Sequence, residues 1–217
     1  MSTIIKAGNA TDGLALTADN TGILELKTGT GSGTTALTLD ASQNATFAGT
    51  VTTVTGAVYP LVSSTAQTTT SGTTKDFTGI PSTAKRITVM FSGVSTNATS
   101  ALLIQIGTSS GIENTGYVSS ALAIQNGASS SAANTSTAAF LAAVALNLNT
   151  EAYTGQVILS NFSGNTWVAS GTLANATATR VTCSAGSKTT AAVLDRVRIT
   201  SLTPDTFDAG SVNILWE

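Results

Sequence analysis

The chain has 217 residues, a formal charge of −2, and 9% charged side chains against 41% hydrophobic ones, where globular proteins average about 25% charged. So few Lys and Arg cannot neutralise a run of phosphates, which argues against a nucleic-acid partner. The complete lack of histidine removes the imidazole base of Ser and Cys hydrolases and the usual zinc ligand, and a single cysteine, Cys183, excludes an intrachain disulfide.

Hydroxyls stand where charges would be. Thr and Ser number 41 and 25, and β-branched Thr suits a pleated, half-exposed surface, so strands are expected over helices. Three prolines and a mean hydropathy of +0.26 separate the chain from a disordered Ser/Thr tract. The opening MSTIIKAGNATDG lacks the charged and then apolar runs of an export signal, and no stretch reaches 18 apolar residues, so neither export nor a membrane span is expected.

Residues 1–56 predict four short strands, GLALTA, GILELKT, TALTLDA and NATFAGTV, separated by turn-rich segments. Their apolar side chains alternate: Leu14 and Leu16, Leu24 and Leu26, Leu37 and Leu39, then Phe47 alone. Two anchors per strand are too few to close a core within one chain, so these seven residues are expected to pack against other copies of the chain. An extended arm draped on a neighbour is the alternative. Residues 57–74 lose the alternation, contain Pro60 and a Ser/Thr tract, and are expected to be a connector.

From Lys75 to Glu217 alternation returns with fuller interiors. Ile87, Val89 and Phe91 share one face, and the pattern recurs in Leu102, Ile104, Ile106, in Val157, Leu159, in Val197, Ile199 and in Val212, Ile214, Trp216. Alternating strands without a helical period predict an all-β fold, an antiparallel β-sandwich of jelly-roll type. The Ala-rich stretch 138–148 is where a helix competes; alternation of Val144, Leu146 and Leu148 favours a strand.

Candidate chemistry is sparse. GTSSG at 107–111 has the letters of a nucleophile elbow around Ser109 but no histidine to serve it. GTGSG at 29–33 lacks the lysine of a phosphate loop. No acid pair of the glycosidase kind stands out, and Asp205 and Asp208 read as turn residues ahead of a calcium site. Neither catalysis nor a cofactor or metal is expected. Trp167 and Trp216 are expected in the core, whereas Tyr117 and Tyr153, in loop-like sequence, are candidate sugar contacts together with Glu113, Asn114 and Asn126.

Three segments carry a likeness: DFTGIPSTAKRITVMFSGVSTNATSALLIQIGTS at 76–109, GIENTGY at 111–117 and AVLDRVRITSLTPDTFDAGSVNILWE at 192–217. Together they resemble a globular domain found at the C-terminal end of tailed-bacteriophage fibres and other virion proteins. The N-terminal GNATDGLALTADNTGILELKTG and TTALTLDASQNATFAGTV are similar to strand repeats of phage fibre stems. The resemblance implies a virion structural protein, made in the bacterial cytoplasm: a homotrimeric tail fibre or tail-associated adhesin. It would join other virion proteins through its N-terminal region and reach host-surface glycan through its C-terminal domain. A head fibre or capsid decoration protein is the alternative it allows.

Overall fold

Strands are all the regular structure among the residues that the computed structural model describes: 21–29, 33–49, 52–53, 56–57, 60–127, 132–145, 150–175, 179–203 and 205–217. No helix among them is long and apolar enough to cross a membrane. The chain divides into two units, Met1–Tyr59 and Pro60–Glu217.

In the first unit β1 (Leu24–Thr28), β2 (Thr34–Leu39) and β3 (Ala45–Phe47) form an antiparallel three-stranded sheet in chain order. The β2–β3 turn is held by Asp40, whose carboxylate accepts the N–H groups of Ser42 and Asn44, both at 2.9 Å. The expected leucines fall in register: Leu26 faces Leu37, which faces Phe47, and Leu24 faces Leu39. Phe47 therefore ends a row. Leu26 and Phe47 remain 45% and 53% exposed. Leu14 and Leu16, with the first expected strand, lie outside the described residues. A two-residue pairing of β4 (Thr52–Thr53) with β5 (Gly56–Ala57) follows.

The second unit is the expected antiparallel β-sandwich. Its larger sheet runs β13 (Ala132–Ser136), β12 (Tyr117–Gln125), β17 (Arg180–Thr189), β16 (Thr166–Asn175), β15 (Tyr153–Ser163), β9 (Arg86–Thr96) and β19 (Phe207–Trp216). The last of these also pairs with β6 (Val62–Ser63) and β7 (Gln67–Thr68). The smaller sheet runs β11 (Gly111–Ile112), β10 (Leu102–Thr108), β18 (Arg196–Ser201) and β8 (Thr74–Thr78), with β14 (Phe140–Leu141) also on β10.

The inward set follows the alternation read above. Ile87, Val89, Leu102, Ile104, Ile106, Val157, Leu159, Val197, Ile199, Val212 and Ile214 are all buried in one cluster, with Trp167 inside it and Trp216 packed at its edge. Aliphatic side chains buried to this degree contribute about 1.5–3 kcal/mol each. A smaller cluster sets Leu103, Leu141 and Val144 against Ala121 and Ala123 of β12.

Two expectations need correction. The connector 57–74 is free of the sandwich nowhere past Pro60: β6 and β7 lie on β19, and Thr69, fully buried, donates its hydroxyl to Ala209 O at 2.7 Å. Backbone pairing holds this polar tract, which is why side-chain alternation could not reveal it. Among the described residues of the Ala-rich stretch 138–148, only Phe140–Leu141 is strand. Beyond it Ala142 and Ala143 both donate to Leu102 O, at 2.8 and 3.2 Å, turning the chain off the ladder; residues 146–149 lie outside the described residues.

The β9–β19 ladder carries a bulge between Ala209 and Ser211. Gly210, at φ +89°, fills it, and a Cβ there would stand 2.3 Å from Gly93 O. No residue with a side chain fits that approach.

Candidate functional site

The strand registers align Tyr117, Lys188, Trp167 and Asn161 across the larger sheet, with Arg86, Trp216 and Val62 continuing the same end. Residues 108–116 and 190–195 lie there. Tyr117, expected as a sugar contact, is 1% exposed. Its hydroxyl accepts Ile106 N–H at 2.8 Å and lies 2.9 Å from Glu113 O and 3.2 Å from Ile106 O, bonding β12 of one sheet to β10 of the other. Burial pushes its pKa far up. Its ring meets Phe140 edge-on at 5.0 Å.

Glu113 is committed as well. Its carboxylate pairs with Lys188 Nζ at 2.5 Å and accepts Ala191 N–H at 2.8 Å. Burial alone would raise its pKa, but the Lys188 hydrogen bond, the Ala191 N–H and the Lys188 charge together hold it below the ordinary value of 4.5. Lys188 is 7% exposed, lies 5.4 Å from the Tyr117 ring centre and donates to Thr189 O. Sequence reading missed it, since a lysine among Ser and Thr looks solvated.

This network fixes a loop whose outer rim stays open. Ser110, Asn114, Thr115, Ala191 and Ala192 are exposed around a depression of about 610 Å³. Of the residues expected to contact a sugar at this end, only Asn114 presents its side chain to solvent.

Asn126 and Tyr153 lie at the opposite end of the sheet. Nine-residue β12 separates Asn126 from Tyr117 by about 30 Å at the usual rise per residue. Asn126 is exposed, its N–H bonded to Thr179 O. Tyr153 is fully buried, its hydroxyl 3.3 Å from Val144 O, with its pKa raised by burial. Around it, Asn175 donates to Glu151 at 3.2 Å, and Arg180 donates to Ala145 O at 2.8 Å and to Gln125 at 3.4 Å. This buried polar group ties Val144, Ala145 and Glu151 to β15, β16 and β17. The five candidate contacts therefore form no single site, and both tyrosines belong to the interior.

Asp205 anchors a loop, accepting Ser100 N–H at 3.1 Å, but Asp208, expected in a turn, lies within β19 and accepts the Ser95 hydroxyl of β9. No three of His, Cys, Asp and Glu gather as a metal-binding group among the described residues. Arg196 and Arg198 lie along β18, paired to Asp195 and to Asp76 respectively.

A second surface escaped the sequence reading. On β12 the larger side chains Val118, Leu122 and Ile124 point outward, 72%, 39% and 61% exposed, while Ser119, Ala121 and Ala123 point in. The inner side must stay small because β14 passes beneath it. Leu141 N–H bonds to Ser119 Oγ at 2.9 Å, and a Cβ on Gly186 would stand 3.0 Å from the Phe140 ring.

Comparison of the chain with protein-family models, with curated proteins and with solved structures finds no match.

Proposed function

We propose that this protein is a bacteriophage virion structural protein without catalytic activity, a homotrimeric tail fibre or tail-associated adhesin. In this reading the leucine rows of the first unit assemble as a stem or docking module that joins other virion proteins. The second unit is the exposed head.

One observation carries the reading. The segments that resemble phage virion domains build the smaller sheet and the β9–β19 end of the larger one, and pair with one another: β9 with β19, β10 with β18, and β8 with β18. The likeness is thus one of scaffold, and its wording follows the pairings that a shared fold would constrain. The Leu26–Leu37–Phe47 row supports association, because Leu26 and Phe47, 45% and 53% exposed, leave an apolar stripe that another surface can cover.

Host contact would use polar loops on a rigid frame. Ser110, Asn114 and Thr115 offer neutral hydrogen-bonding groups suited to a glycan, and a surface so poor in charge would bind it with little dependence on salt. Weak single sites would gain avidity from several copies on one particle.

The outward aliphatic side chains of β12 favour the second reading, a head fibre or capsid decoration protein, since such a surface suits packing against protein. Position and copy number in purified particles, by cryo-EM and quantitative mass spectrometry, test both. Copies confined to the tail support the adhesin, a lattice over the head supports decoration, and absence from particles rejects the two together.

A further inference from the structure

Along β12 and β17 the larger sheet departs from the usual pattern of a sandwich, in which the apolar side of each strand faces the core. On β12 Val118, Leu122 and Ile124 face out over Ser119, Ala121 and Ala123. On β17 Val181, Cys183 and Ala185 face out over Thr182, Ser184 and Gly186. The registers set these residues side by side: Ile124 against Val181, Leu122 against Cys183, and Ser187, next to Val118, against Val168 of β16. The surface continues through Ser170 and Thr172 of β16 and Gln156, Ile158 and Ser160 of β15. No charged residue interrupts it across these four strands.

We infer that this face is a contact between copies of the chain. Three observations select a second copy as the occupant. The face is neutral throughout, so like faces meet without repulsion and without desolvating an ion. Its aliphatic residues are densest on β12 and β17 and thin out to Val168 and Ile158 among hydroxyls and an amide on β16 and β15, as an apolar patch grades into the neutral polar rim of a protein interface. Its size also fits. Four strands about 4.8 Å apart, each with four outward residues about 6.7 Å apart, cover roughly 500 Å² before side-chain relief is counted. Ala133 and Thr135 of β13 and Thr88 and Met90 of β9 extend it toward the roughly 800 Å² that each partner of a stable complex contributes, and Arg86, paired with Glu217, bounds it at one end. The inference does not depend on the leucine rows of the first unit, nor on whether the particle uses the protein at its tail or its head.

Cys183 sits on this face, beside Leu122, and is the chain's only thiol. In the full-length protein at micromolar concentration, alkylation of Cys183 by a maleimide, followed by mass spectrometry, should be at least about tenfold slower than in Leu122→Asp, because only the variant leaves the thiol open to reagent. A circular-dichroism melt shows whether the variant folds; Val118→Asp, at the more exposed position, replaces it if it does not. A wild-type thiol that reacts as fast as a fully exposed one overturns the inference, and so does slow reaction in both proteins. Light scattering on the same samples separates this from the stem. An oligomer with a freely reacting Cys183 rejects the face and leaves the stem standing, whereas a monomeric wild type rejects both.

Discussion

Lys188 Nζ lies 5.4 Å from the centre of the Tyr117 ring while its ammonium pairs with Glu113, four residues before that tyrosine. One buried cation thus holds both ends of the 113–117 turn. The turn is in turn bonded through the Tyr117 hydroxyl to the opposite sheet. The loop with the most polar rim in this part of the molecule is therefore among its most constrained.

Removing one partner of this pair should be costly. Glu113→Ala leaves a lysine that is 7% exposed without its carboxylate, and should destabilise the chain by roughly 2–3 kcal/mol in a urea titration. The pH dependence follows from the depressed pKa of Glu113. Its contribution is fully present above the unfolded value near 4.5 and is lost as pH falls through the lower folded value. Wild type should thus lose stability below pH 4.5 more steeply than Glu113→Gln, and equal slopes would show that the pair contributes nothing.

Asn114 and Tyr117 should separate recognition from folding. Asn114→Ala combined with Thr115→Ala should weaken binding to host cells while the melting temperature stays put. Tyr117→Phe should cost about 1–3 kcal/mol by leaving the buried Ile106 N–H without its acceptor. If the double variant binds cells as well as wild type, this loop is not the contact.

Gly210→Ala tests the bulge. The added Cβ would meet the Gly93 carbonyl at 2.3 Å on a backbone at φ +89°, so a loss of at least about 2 kcal/mol is expected from clash and strain together. Gly79→Ala is the control at a left-handed φ of +76° with open space around it, and should cost about 1 kcal/mol, from the conformation alone.

A fragment beginning at Pro60 should fold and melt in one cooperative transition. One beginning at Ser71 should melt at lower temperature, having lost β6, β7 and the buried Thr69 from the edge of β19. Identical melting curves would show that 60–70 adds nothing to the sandwich.

In the first unit, Leu26→Ser with Phe47→Ser should lower the oligomeric mass seen by light scattering without unfolding the second unit. These side chains stand in one row and are 45% and 53% exposed. An unchanged mass would place the association elsewhere.

The alternation in 86–91, 102–106, 157–159 and 212–216 was enough to name the all-β sandwich and most of its core. In a strand the side-chain period is two, and burial selects one of two faces. The same logic failed on β12. YVSSALAIQ alternates as cleanly as any strand, but pairing geometry sets Tyr117 inward to reach Ile106 and so turns Val118, Leu122 and Ile124 outward. Periodicity states that two faces differ; only the packing of β14 beneath the strand decides which one is inside. Backbone-paired β6 and β7 have no side-chain signature, and nothing local in the sequence marks Lys188 and Arg180 as buried. Their burial is compensated by partners 75 residues away at Glu113 and 35 away at Ala145, and contacts so distant in sequence exist only once the sheets have closed.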